Sequence, residues 1–157
     1  MLISTATAMK RLFPILILVL AFISCQKDEE VVTGADLFVG SYSGTVTTML
    51  VANGEFLEYK EVQTTKTIEK GSGENDLILG KGTDMEFYAS VDGNLFLIPG
   101  HIKHYIIEKS GVEVNFSVTG QGIWSADKKT LTITYGSYVK EDDLEYKLTI
   151  VESLHRN

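Results

Sequence analysis

From Val112 onward, Val112, Val114, Phe116 and Val118 alternate with Glu113, Asn115, Ser117 and Thr119. Successive side chains of an extended chain point to opposite faces, so this alternation specifies a strand with one buried face and excludes a helix. Leu131, Ile133 and Tyr135 repeat the pattern against Thr132 and Thr134, as do Tyr146, Leu148 and Ile150 against Lys147 and Thr149. No stretch of the body sustains a helical period. Residues that tolerate tight turns separate the runs: Asn53-Gly54, Asp92-Gly93-Asn94, Lys109-Ser110-Gly111, Ala126-Asp127-Lys128 and Glu141-Asp142-Asp143.

These signals predict eight or nine antiparallel strands, over 38–51, 55–69, 76–80, 84–91, 94–98, 101–108, 112–125, 129–140 and 144–153. A strand of about fourteen residues extends roughly 46 Å, too far to lie flat across one small domain. The long strands must therefore coil, with Gly44, Gly120, Gly122 and Gly136 placed where kinks are needed. The expected fold is all-β, an up-and-down meander forming a closed or half-open barrel.

The N-terminus has a different character. Lys10 and Arg11 precede Leu12 to Ser24, which is apolar except at its last residue, and Cys25 follows. A short basic region, an apolar core and a small residue make the pattern of a secretory signal peptide. A membrane-spanning helix needs about 20 apolar residues, more than this stretch offers. The domain boundaries expected are a leader over 1–24, a charged tether over 25–36 and a β domain over 37–157. Removing the leader leaves 12 basic and 21 acidic residues, a net charge of −9. Such a balance, with no basic stripe, argues against a nucleic-acid partner.

Phe22-Ile23-Ser24-Cys25 resembles the lipobox of bacterial lipoproteins, in which a small residue precedes a cysteine that is acylated and becomes the mature N-terminus. The following Gln26-Lys27-Asp28-Glu29-Glu30 is similar to the acidic export tag of Bacteroidota-type surface lipoproteins. The resemblance implies that Cys25 carries the lipid, that Gln26, Lys27, Asp28, Glu29 and Glu30 route the chain outward, and that the protein sits on the outer membrane, exposed at the cell surface. Stable attachment needs more than one acyl chain. With one cysteine in the whole chain, the domain must hold together without an internal disulfide.

Phe38-Val39-Gly40-Ser41-Tyr42-Ser43-Gly44 and Gly120-Gln121-Gly122-Ile123-Trp124-Ser125, leading on to Leu131-Thr132-Ile133-Thr134-Tyr135, resemble the lipocalin-like or calycin-like domains of bacterial lipoproteins. Tyr42 stands where lipocalins carry tryptophan. This resemblance implies a barrel.

Chemistry is sparse. In a strand, His101 and His104 point to opposite faces and cannot share a metal without a bulge. No serine lies in G-x-S-x-G, and Gly71-Ser72-Gly73 and Gly80-Lys81-Gly82 lack the spacing and following helix of phosphate loops. No catalytic constellation, metal site or cofactor is expected. Tyr42, Phe87, Phe116, Trp124, Tyr135 and Tyr146, together with Phe38, occupy the apolar phases and are expected to point inward. They either fill the barrel or line a cup for a small apolar ligand. Tyr59, Tyr88 and Tyr105 are expected to face outward. The reading is a non-enzymatic, lipid-anchored barrel binding a small apolar ligand; the main alternative is a packed domain acting as a protein-interaction subunit of an envelope uptake, adhesion or inhibitor assembly, and a third is a hydrolase whose site has no recognised motif.

Overall fold

The computed structural model describes residues 34–83, 86–108, 111–141 and 143–157. Cys25 and the acidic run 26–30 lie outside the described residues. A 3-10 turn, Gly34–Leu37, leads into eight strands: β1 Gly40–Ala52, β2 Glu55–Lys70, β3 Asp76–Leu79, β4 Phe87–Asp92, β5 Leu95–Ile106, β6 Glu113–Trp124, β7 Thr130–Glu141 and β8 Leu144–Arg156. All neighbours are antiparallel and sequential, and β8 pairs back onto β1, closing an up-and-down barrel. Gly34 to Asp36, the end of the expected tether, thus belong to a turn with Ala35 buried.

The turn chemistry explains the hairpins. Asn53 and Gly54 both take positive φ, 47° and 83°, as a two-residue turn matching the strand twist requires. The long strands pack closely at their glycines: a Cβ on Gly44 would lie 1.9 Å from the Ser153 carbonyl oxygen, so only glycine lets β1 approach β8 so tightly there.

Two expected strands, 94–98 and 101–108, are one. β5 runs through Pro99 and Gly100 by a register shift between Ile98 and His101. A bulge inserts an extra residue and reverses which side chains face inward beyond it. Before it, Phe96 and Ile98 face the core; after it, His101, Lys103 and Tyr105 sit opposite the inward Val118, Phe116 and Val114. Tyr105 therefore faces inward, contrary to the expectation, and packs edge-on against Phe116 at 6.3 Å. Tyr59 and Tyr88 are exposed, as expected.

The apolar phases converge on one core that includes Leu50, Ile68, Leu77, Leu79, Phe96, Leu131, Ile133 and Leu154. One end is plugged by the N-terminal turn. Phe38, fully buried, meets Phe96 edge-on at 5.0 Å and stacks on Trp124 at 6.4 Å. Burial of such a ring contributes about 2 to 3 kcal/mol. Arg156, from the end of β8, donates to the Leu37 carbonyl at 2.7 Å and to the Tyr42 hydroxyl at 3.0 Å, and lies over the Tyr42 and Trp124 rings. The Tyr42 hydroxyl in turn donates to the Phe38 carbonyl at 2.6 Å. These bonds tie the first turn to the last strand.

The wall is uneven in height. β3 and β4 are four and six residues long, against 16 and 12 for the flanking β2 and β5. The β2–β3 ladder covers only Ile68 to Lys70, and the β4–β5 ladder only Ser90 to Asp92. Beyond the tip of the short hairpin, among the described residues, β2 from Glu55 to Lys66 pairs only with β1, and β5 from His101 to Ile106 only with β6. Side chains bridge the far end of this gap, where Lys60 Nζ meets Glu108 Oε1 at 3.1 Å.

Candidate functional site

A pocket of about 450 Å³ opens beside the tip of the short hairpin. Val46, Val62 and Thr64 to Thr67 line one side, Gly80, Lys81 and Thr83 the rim, and Glu152 the floor. Lys66 falls on the inward phase of β2, between Thr64 and Ile68. Glu152 falls on the inward phase of β8, between Ile150 and Leu154. The barrel geometry thus brings two opposite charges inside: Lys66 Nζ lies 2.6 Å from Glu152 Oε1, with Lys66 8% and Glu152 2% exposed.

Removing an ion pair from water is costly unless each partner is further satisfied. Lys66 donates a second hydrogen bond to the Tyr135 hydroxyl oxygen at 3.1 Å and lies within 6 Å of the Phe87 and Tyr135 ring centres. Burial holds the Tyr135 phenol well above its usual pKa, and the nearby Glu152 carboxylate pushes in the same direction. The tyrosine stays neutral. Lys103, half-buried on the adjoining wall, is shifted down, first by burial and then by the like charge of Lys66. His101 lies against Phe87 at 4.0 Å between ring centres.

Two acceptors in this region have no hydrogen-bond partner among the described residues: Glu152 Oε2 and His101 Nε2. The other histidine nitrogen, Nδ1, lies 3.4 Å from the Pro99 carbonyl and is the one placed to donate, leaving Nε2 as the lone-pair side. Buried acceptors without partners cost stability, of order 1 to 3 kcal/mol each.

The aromatics expected to bind ligand are all inward, but they spread along the whole barrel. Tyr42 and Trp124 belong to the plug, 6.0 Å apart; Phe87 and Tyr135 meet at mid-height, 5.6 Å apart; Phe116 and Tyr146 lie toward the opposite end. Only the Tyr135 and Phe87 side chains touch the ion pair below the pocket, and none of the six lines it. Two other depressions, of about 680 and 460 Å³, lie over β3 to β7 and share Ser90 and Pro99; neither is lined by a buried charged residue. Among the described residues, no three His, Cys, Asp or Glu side chains converge as metal ligands.

No family model matches the chain, and no curated protein matches it. What the site does must be read from its own chemistry. Lys66 and Glu152 escaped the sequence reading, although the signal was present: each is a charge standing in the apolar phase of its strand, and the two are opposite in sign.

Proposed function

We propose that this protein is a lipid-anchored β-barrel of the bacterial surface that takes a small amphipathic ligand through the side of its wall. One observation carries the reading: a pocket of about 450 Å³ beside β2 and the tip of the β3–β4 hairpin is lined by a buried lysine–glutamate pair. That volume falls in the range of small-molecule sites, about 300 to 1,000 Å³, and a few convergent polar groups on a partly apolar lining are their usual composition. Val46, Val62 and the threonine methyl groups receive the apolar part, while the floor receives the polar one. The anchor rests on the Ser24-Cys25 junction and the acidic run behind it.

The decisive experiment is mass spectrometry of the protein purified gently from its native envelope. A co-purifying small molecule, lost on substituting Val62→Arg in the side wall of the pocket, supports the reading. Recovery of a stoichiometric envelope protein with no small molecule favours the interaction-subunit alternative. Placement is tested separately: Cys25→Ala should abolish membrane retention, and a variant still processed and retained would refute the anchor.

A further inference from the structure

Thr64, Thr65, Lys66 and Thr67 line the pocket in succession. Alternate residues of a strand point to opposite faces, so a cavity that touches both phases abuts the edge of β2 and not one of its faces. That edge is open. Gly71 N–H donates to the Asp76 carbonyl at 2.7 Å and Gly80 N–H to the Thr67 carbonyl at 2.8 Å, so the odd-numbered residues here turn their backbone groups toward β3. Where β3 stops, Thr65, Gln63, Glu61 and Tyr59 present the same groups to the opening, and among the described residues no backbone partner meets them. Their side chains are exposed, as is the inward Val62 at 44%. This row holds no proline or lysine, residues that commonly block an edge, and the inward Lys60 and Lys66 are already paired with Glu108 and Glu152.

We infer that the ligand of this site is an extended peptide that adds a strand to the free edge of β2, antiparallel to it and in line with β3 beyond its end. This rests on the ligand-binding reading above and names the ligand class. In such additions main-chain hydrogen bonds supply affinity, and pockets for alternate side chains supply specificity. Peptide residues opposite Thr65, Gln63 and Glu61 bond to the edge and point outward. Those between them, opposite Thr64 and Val62, point into the pocket. Val46 and Val62 favour an apolar residue there, and Glu61, the charge of the outward row, favours a basic residue opposite it. The edge of a second barrel does not fit: β5 stands across the opening, near enough for Glu108 to reach Lys60 at 3.1 Å, so a partner's wall would run into it while a single chain would not.

The probe is the blocked pentapeptide acetyl-Thr-Thr-Thr-Val-Lys-amide, which places valine opposite Val62 and lysine opposite Glu61. The full protein is titrated by calorimetry with this peptide and with two singly N-methylated forms. Methylation of the third residue removes the donor aimed at Gln63, whereas methylation of the fourth alters a nitrogen that faces away from β2. The first form should bind about tenfold or more weakly, and the second like the parent. Hydrogen exchange gives an independent readout: the peptide should slow the amides of Gln63 and Thr65 and leave those of Val62 and Thr64, already bonded to β1, unchanged. Gln63→Pro, which removes one edge donor and no bond to β1, should weaken binding by a similar factor while the barrel persists. No binding of the parent peptide at about 1 mM, or equal binding of the two methylated forms, overturns the strand-addition inference alone. A non-peptide molecule recovered from the native envelope also overturns it and leaves the ligand-binding reading standing. Protection of Gln63 and Thr65 in a dimer without peptide overturns it in favour of a second copy.

Discussion

Gly122 on β6 faces the interior opposite Ile133 and next to Phe96, and replacing it with alanine offers a quantitative test of how the barrel is packed. A Cβ there would lie 2.1 Å from Phe96 Cζ, with two further ring carbons at 2.4 and 2.6 Å. Carbon atoms rest about 3.5 to 4.0 Å apart, so the ring would have to retreat by roughly 1.4 Å or more. It has nowhere to go, being fully buried and set edge-on against Phe38. Overpacking of this type costs about 1 to 3 kcal/mol, and loss of the edge-on contact adds about 0.5 to 1.5. The expected penalty is about 2 to 4 kcal/mol. Gly136, on the neighbouring β7, supplies the control, since an added Cβ there meets nothing within 4 Å and its φ is not positive. Gly136→Ala should be neutral or stabilise by up to about 1 kcal/mol through the unfolded state. Urea denaturation followed by circular dichroism measures both. Equal stability of the two variants would refute the packing around Phe96, because the backbone change is the same and only the space differs.

Lys66→Met alone should destabilise by about 3 to 5 kcal/mol, whereas Lys66→Met with Glu152→Leu should recover most of the loss; a double variant no better than the single would contradict a buried, mutually dependent pair. Burial, followed by the neighbouring Glu58 carboxylate, pushes Tyr105 up to about 12, so its phenol should remain un-ionised at pH 11 and Glu58→Gln should bring the transition down, both read from ultraviolet absorbance. The folded state holds that proton more tightly than the unfolded chain, so its contribution to stability is complete below about pH 10 and should fade between about 10 and 12; stability rising over that interval would be the wrong sign. Arg156→Ala removes bonds to Leu37 and Tyr42 at an exposed position and should cost about 1 to 2 kcal/mol, with faster amide hydrogen exchange at Phe38 as its local signature.

The barrel was legible because period two is a strong signal when each strand has one buried face. Val114, Phe116 and Val118, or Leu131, Ile133 and Tyr135, read directly as inward residues and are buried. Tyr105 was misread for a definite reason: beyond Pro99-Gly100 the apolar Ile102 and Ile106 stand in the alternate phase, and the bulge there turns that phase outward, leaving both exposed. Tyr42 and Trp124 were rightly placed inside, but nothing local revealed that Arg156, past the expected end of β8, would lie across both rings. The site itself was harder. Its pocket comes from a mismatch between distant strands, with β3 and β4 too short to cover β2 and β5. Lengths of 4 and 16 residues can be read from a sequence, but which strands face across the opening depends on ring closure.

That mismatch makes the β3–β4 hairpin a shutter whose height sets the aperture. Lengthening both strands by two residues at a time preserves the inward and outward phases while adding ladder to β2 and β5. The barrel could be sealed stepwise without altering a single residue of its floor, and access to Lys66 and Glu152 would then narrow with each step while their chemistry stayed the same.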